Sequence, residues 1–294
     1  MATLRELKGR IGSVASSEKI TGAMKMISSA KMHKAEQALR RLQPFRGQIE
    51  TIIANLLSTD AQFASPLLEK REVKHLGIVV LGSDDGLCGA YNVNLFKQFL
   101  HHLRGFRQKW GEDIDVTVYP VGEKIAKAVK KIEDVHLHVV RREGLDSRTT
   151  GDGVKDFLDY LKNEFLRGSL DCVVLHYMHF KSVSRQNFTQ QQLLPILQES
   201  FEAAGETKAT NRPCLFEPDA ASIFSAVLPM YLMAVLQDVF TENRASEQAS
   251  RVMAMQSAND NAKKLLDELQ LEYNKLRQQA ITSELLDILG GQAR

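Results

Sequence analysis

Polar and apolar positions along the chain fall into two regimes. At both ends, apolar or small residues recur at three- and four-residue steps, the period of one face of an α-helix. The N-terminal stripe runs Leu4, Leu7, Ile11, Val14, Met24, Ile27, Leu39, Leu42, Ile49, Ile52 and Leu56. The C-terminal stripe runs Ala245, Ala249, Val252, Leu266, Leu269, Tyr273, Leu276 and Ala280. Punctuation agrees with this division. Prolines stand only at 44, 66, 120, 195, 213, 218 and 229, and no glycine lies between Gly205 and Gly290.

Two long helices are therefore predicted, with bends at Pro44 and Pro229, where the donor N–H is missing. Asp219, after Pro218, is placed to accept from the first-turn N–H groups of the second helix, and Gly290-Gly291 ends it. From 220 to 288 such a helix would be roughly 100 Å long, more than its own globular part can cover. Small residues along it (Ala245, Ser246, Ala249, Ser250, Ala254, Ala258, Ala262) suit close approach of a partner helix. Gly9, Gly12 and Gly22 cost helix propensity and imply something packed close to the backbone. With a central domain at one end, the two helices would run antiparallel.

The punctuated middle alternates strand and helix patterns. Strands are predicted at 76–81, 115–120, 135–140 and 171–178, and helices at 91–104, 122–131 and 151–166. That alternation favours a mostly parallel, wound sheet. Residues 183–218 read as one or two extended strands and a mobile polar loop. The predicted fold class is α/β plus a long antiparallel α-helical coiled coil. Its parts are an N-terminal coiled-coil helix (1–58), a central α/β domain (74–200) and a C-terminal coiled-coil helix (219–289).

Composition narrows the class. The chain of 294 residues is 44% hydrophobic and 25% charged, as soluble globular proteins are. No apolar run approaches the roughly 20 residues that cross a bilayer, and MATLRELKGR lacks the apolar core of a secretion signal. Cys88, Cys172 and Cys214 show no CxxC spacing, which points to a reduced compartment with neither zinc site nor disulfide framework. Net charge is +2, yet residues 1–43 hold nine Lys/Arg against three Glu. A basic helix of this kind meets acidic surfaces or is simply solvated.

Candidate chemistry centres on Ile78 to Asn94, where an apolar run ends in GSDDGLCG ahead of a helix. Strand, glycine turn and helix are the parts of a phosphate cradle. This loop, however, has neither GxGxxG nor GK[ST], and Asp84 and Asp85 would repel a polyphosphate. A buried turn, with Gly86 and Gly89 supplying permissive dihedrals, is the better reading. Other constellations are thin. His101-His102 diverge on a helix. His136 and His138 share a strand face without a third ligand, and His176 and His179 near a strand end are no stronger. Cys88 reads as a small buried thiol, and the lone Trp110 with scattered Tyr makes no stacking platform for nucleic acid. No cofactor is expected.

Three stretches carry a family resemblance: LRELKGRIGSVASSEKITGAMKMISSAKMHKA (4–35), SDDGLCGAYNVNL (83–95), and ASEQASRVMAMQSANDNA followed by LQLEYNKLRQQAITSELLDI. In order and spacing the chain resembles the gamma subunits of F-type ATP synthases, of the bacterial type. The resemblance implies a rotor shaft whose helix pair inserts into a ring of three alpha and three beta subunits. Its Rossmann-like domain would stand on the membrane ring of ion-carrying c subunits, with an epsilon subunit beside it. Ion flow would turn the shaft and drive each beta subunit through different nucleotide affinities. The chain itself would hold no active site, bind no nucleic acid and not insert in the membrane, acting at the cytoplasmic face of a bacterial plasma membrane.

Site residues implied by the resemblance are Glu247 and Arg251, which couple to beta, and Arg277 and Gln278, which meet the catch loops of beta. Thr282 and Glu284 fall in the same set, and Met24 and Lys25 lie at the neck facing the beta levers. Taken alone, each reads as an ordinary helix-surface side chain. Replacing Arg251 or Gln278 by Ala is expected to lower coupling more than folding. Apolar Ile281, Leu285, Leu286, Ile288 and Leu289 would form a bearing. Two departures stand out: Gly22 replaces a usual Lys, and Asp85 a usual Arg or Lys. The cysteine-bearing insert of chloroplast forms is absent, so no thiol switch is expected, and the bacterial type carries the expectation of no transit peptide. Two other classes remain open: a coiled-coil scaffold, expected to homodimerise, and a nucleotide-dependent enzyme using 83–89.

Overall fold

In the computed structural model, residues 3–57, 65–197, 201, 216–217 and 219–291 are described, with 287 and 289–291 as backbone only. Two helices account for the ends of the chain: α1, Leu4–Leu57, and α5, Ala220–Gly291. Between them lie β1 (His75–Leu81), α2 (Tyr91–Trp110), β2 (Asp115–Val121), α3 (Glu123–Val129), β3 (Leu137–Val139), α4 (Asp152–Leu166), β4 (Cys172–Ser182) and β5 (Arg185–Leu194). The sheet order is β3-β2-β1-β4-β5. Its first four strands are parallel and β5 closes one edge antiparallel to β4.

Alternation along the strands divides the core. Ile78, Val80, Val116, Val118, Cys172 and Val174 face α2 and α3. Val79, Leu81, Tyr119, Val121, Val173 and Leu175 face α4, the C-terminal end of α1 and the first turns of α5. Because successive strand residues point to opposite faces, a continuous apolar run is what a doubly covered parallel sheet requires. The two long helices thus share their core with the sheet: Ile49, Ile53, Leu56, Phe224, Leu228, Leu232 and Val235 are all buried there.

Helix α5 starts as expected. Asp219 accepts from the Ser222 N–H at 2.8 Å and the Ser222 hydroxyl at 2.7 Å. Those bonds from Ser222 hold the Asp219 carboxyl below its ordinary pKa. Both long helices continue through their prolines, Pro44 and Pro229. Their antiparallel course is fixed by three cross-links. Arg46 Nη1 donates to Asp238 at 2.8 Å, Ala35 and Leu39 pack with Ala245, and Asn259 Nδ2 donates to the Glu18 carbonyl at 2.7 Å. Burial by itself lowers the Arg46 guanidinium pKa, but its bonds to Glu50 and Asp238 outweigh that and raise it.

Several expectations change. Strand β3 is shorter than 135–140 because the Asp134 carboxylate accepts the His136 N–H at 3.0 Å and closes a turn there. Helix α2 runs on to Trp110 and stops at Gly111, whose φ is +104°. Of 183–218, residues 185–194 form β5, while 198–200, 202–215 and 218 lie outside the described residues. Among the described residues, Gly9 and Gly12 have nothing within 4 Å of where a Cβ would stand; Gly22 faces Asn259 at 3.3 Å. Contrary to the sequence reading, α5 does contain a window long and apolar enough to cross a bilayer. More than half of it is buried inside the protein, as in the core helix of a folded domain.

Candidate functional site

The glycine loop after β1 is a docking cradle for α5. Inside the loop, Asn92 does the folding: its Oδ1 accepts from Ser83 N at 3.1 Å and its Nδ2 donates to Ser83 Oγ at 2.7 Å. The Gly82 N–H is bound to the Val121 carbonyl at 2.8 Å. These N–H groups are consumed internally and are not presented to a phosphate. Left-handed backbone occurs at Gly89 (φ +60°) and Leu87 (φ +63°), not at Gly86. Gly122 (φ +107°) lies under the same loop, where a Cβ would stand 2.9 Å from the Ser83 carbonyl.

The loop carbonyls face α5, which supplies their donors. Ser250 Oγ donates to the Cys88 carbonyl at 2.8 Å, Asn243 Nδ2 to the Gly82 carbonyl at 3.0 Å, and Arg251 Nε to the Gly86 carbonyl at 3.2 Å. The Tyr91 hydroxyl donates to Asn243 Oδ1 at 2.6 Å, and burial pushes its pKa well above that of a free phenol. Asp84 is a clasp. One carboxylate oxygen accepts the Glu123 N–H at the start of α3, and the other accepts the Ser147 N–H and hydroxyl at 2.9 and 2.7 Å. Asp85 pairs with Arg148, which gives the acid at this unusual position a cation from its own chain.

Glu247 and Arg251 sit at the centre of this junction. They form an i,i+4 ion pair at 2.6 Å with only 4% and 7% of their side chains exposed. Burial pushes the Glu247 carboxyl above its ordinary pKa, Arg251 opposes that shift, and Asp84 and Asp85 add to it. These two are therefore not surface side chains in this chain. Removing Arg251 strands a buried carboxylate, so Arg251→Ala is expected to cost stability as well as coupling.

The other sequence-derived positions do face outward. Met24 and Lys25 are half-buried on α1, and Arg277, Gln278, Thr282 and Glu284 are exposed on the far end of α5. Ile281, Leu285, Leu286 and Ile288 are exposed beside them, and the Leu289 side chain lies outside the described residues. Junction and tip are separate places on one helix. Sequence reasoning missed Tyr91, Asn243, Ser250 and the Asp84 clasp as contacts of this junction.

The histidines build no metal centre, and among the described residues no group of three or more His, Cys, Asp or Glu is arranged to hold an ion. His136 pairs with Asp115 at 3.2 Å, and His179 with Glu242 of α5 at 2.8 Å. His176 is fully buried among Phe99, Phe106, Phe188 and His102. His101 and His102 do not diverge as expected: their rings meet edge-on at 5.6 Å. Cys88 is buried, as a small structural thiol would be.

The sequence of this chain matches the family model described as ATP synthase over residues 3–293. The structure is similar to a chain of the Euglena gracilis mitochondrial ATP synthase OSCP/F1/c-ring assembly, with TM-score 0.64, 19% identity, and coverage of 99% of this chain and 93% of that one. It is also similar to a chain of the Tetrahymena thermophila mitochondrial ATP synthase central stalk/c-ring, with TM-score 0.55, 22% identity, and coverage of 81% and 99%. Sequence relatives are nearer. The chain is 40% identical to the ATP synthase gamma chain of Bacteroides fragilis, over 99% of both chains. It is 35% identical to that of Polynucleobacter asymbioticus, over 100% of this chain and 99% of that one. The chain belongs to the ATP synthase gamma chain family.

Proposed function

We infer that this chain is the central-stalk shaft of an F-type ATP synthase. It would couple ion flow through rotation to ATP synthesis or hydrolysis on a head of alpha and beta subunits. The observation that carries this reading is the far half of α5. From residue 260 to 286 only Leu269 is buried, and the stretch ends in the exposed apolar residues Ile281, Leu285 and Leu286. A helix left so bare by its own chain needs a cavity in another protein to cover its apolar end.

In this reading residues 1–58 and 219–289 form the shaft and 74–200 the domain that stands on the c-ring beside an epsilon subunit. The assembly lies at the cytoplasmic face of the bacterial plasma membrane. Met24, Lys25, Arg277, Gln278, Thr282 and Glu284 meet beta directly. Glu247 and Arg251 act differently: they lock the shaft to the domain, so that torque applied to one is delivered to the other. A rotor needs both a contact face that distinguishes the beta states and a joint that does not slip.

The test is reconstitution of the complex in vesicles with Arg277→Ala plus Gln278→Ala. ATP synthesis driven by an ion gradient should fall severalfold while the melting temperature of the chain stays unchanged. Undiminished synthesis would remove these residues from the coupling set. A fully coupled complex formed without this chain would end the reading altogether.

A further inference from the structure

Beside the junction, α1, α5 and the loop before α4 enclose a cavity of about 290 Å³. Its charged lining is uneven. Lys31 and Lys34, one turn apart on α1, share it with Arg148 and Arg244, against Asp85 and Glu247. Both acids are already engaged, Asp85 by Arg148 and Glu247 by Arg251. Lys31, Lys34 and Arg244 have no ion-pair partner among the described residues. Arg244 donates only to backbone, to the Thr149 carbonyl at 3.0 Å and the Ser147 carbonyl at 3.4 Å. Burial lowers its pKa, with Glu247 and Asp146 opposing that shift from a distance. A half-buried guanidinium with no directly bonded carboxylate, lining one recess with two unpaired lysines, leaves donor capacity that a small anion could take up.

We propose that this cavity is a binding site for a small multivalent phosphoanion of the size of inorganic phosphate or pyrophosphate, held by Lys31, Lys34 and Arg244. A recess of this volume between three elements suits a small ligand better than a polypeptide segment. Guanidinium and ammonium donors together match phosphoryl oxygens in both charge and geometry. Its ligands come from α1 and α5, and Arg244 also binds the Ser147 and Thr149 carbonyls of the loop before α4, so the bound anion would brace the shaft against the domain.

The experiment is calorimetric titration of the full-length chain with inorganic pyrophosphate and, separately, phosphate. Saturable binding of one anion per chain is expected. Lys31→Gln with Lys34→Gln should weaken it at least about 10-fold, and Arg244→Gln likewise. Arg244→Lys should restore part of the loss. Lys8→Gln with Arg10→Gln removes the same charge from the same helix outside the cavity, and should change affinity less than about 2-fold. Lys31 and Lys34 are exposed, so their double variant should keep the parental melting temperature. No saturable binding at millimolar pyrophosphate overturns the proposal. So does an equal loss in the Lys8/Arg10 control, or binding of an Asp/Glu-rich peptide with no binding of pyrophosphate, which would assign these cations to a protein partner. None of these outcomes depends on rotary coupling.

Discussion

Tyr91 and Asn243 meet through a 2.6 Å hydrogen bond in which the tyrosine hydroxyl donates and the Asn243 side-chain oxygen accepts. The same amide then donates to the Gly82 carbonyl at 3.0 Å. One side chain of the C-terminal helix thereby closes both sides of the glycine loop, in a site where Asn243 is 1% exposed.

Asn243→Ala leaves the buried Gly82 carbonyl without its side-chain donor and the Tyr91 hydroxyl with only the Asn243 backbone carbonyl, at 3.3 Å. A loss of about 2–4 kcal/mol is expected, against about 1 kcal/mol for Tyr91→Phe, which leaves the amide its bond to Gly82. Urea unfolding of the two variants checks the ordering. Equal, small losses would show that the bonds contribute nothing specific to the joint.

Breaking the Glu247–Arg251 pair from one side should cost about 3–5 kcal/mol, since the remaining charge is left buried. Glu247→Leu combined with Arg251→Met should be much closer to the parent. A double-mutant cycle measures the difference. If the combined variant loses the sum of the single losses, the pair is not coupled and the reading of the junction fails.

His176 makes the domain sensitive to acid. Burial, with His102 adding to it, lowers its pKa to about 3, and neither ring nitrogen has a hydrogen-bond partner. In the unfolded chain an ordinary histidine takes up a proton near pH 6.5, so between pH 6.5 and 3 the unfolded state binds more protons. Stability therefore falls as pH falls through that window, by about 2 kcal/mol between pH 7 and 5. His176→Phe should flatten this dependence in urea melts at the two pH values. An unchanged slope would place the acid sensitivity elsewhere, with Glu242 and its partner His179 the next group to replace.

The glycines of α1 separate intrinsic propensity from packing. Gly12→Ala meets no neighbouring atom within 4 Å among the described residues and should stabilise the isolated protein by about 0.5–1 kcal/mol. Gly22→Ala should yield less, because its methyl would press on the Asn259 amide that binds the Glu18 carbonyl. Melting temperatures of the isolated chain test the contrast. In the assembled complex the Gly12→Ala gain should vanish, if a neighbouring subunit packs on that face.

Much of the architecture is local and so could be read from sequence. Helix period, the missing prolines and the Asp219 cap are short-range signals, and they located both end helices. Short apolar runs between helical segments placed β1, β2 and β4 within a few residues. The acids and missing motif in GSDDGLCG argued against a phosphate cradle and for a buried turn. What periodicity does not encode is which way a polar helix residue faces once distant segments pack against it. Only the tertiary structure turned Arg251 inward onto the 85–86 carbonyls and buried Glu247 beside it. It likewise brought Tyr91 to Asn243 and made Asp84 a clasp between three loops. Those contacts join residues far apart in the chain, and their geometry is set by the sheet's register and by the helix rotation that buries the most apolar surface, neither of which any short window of sequence contains.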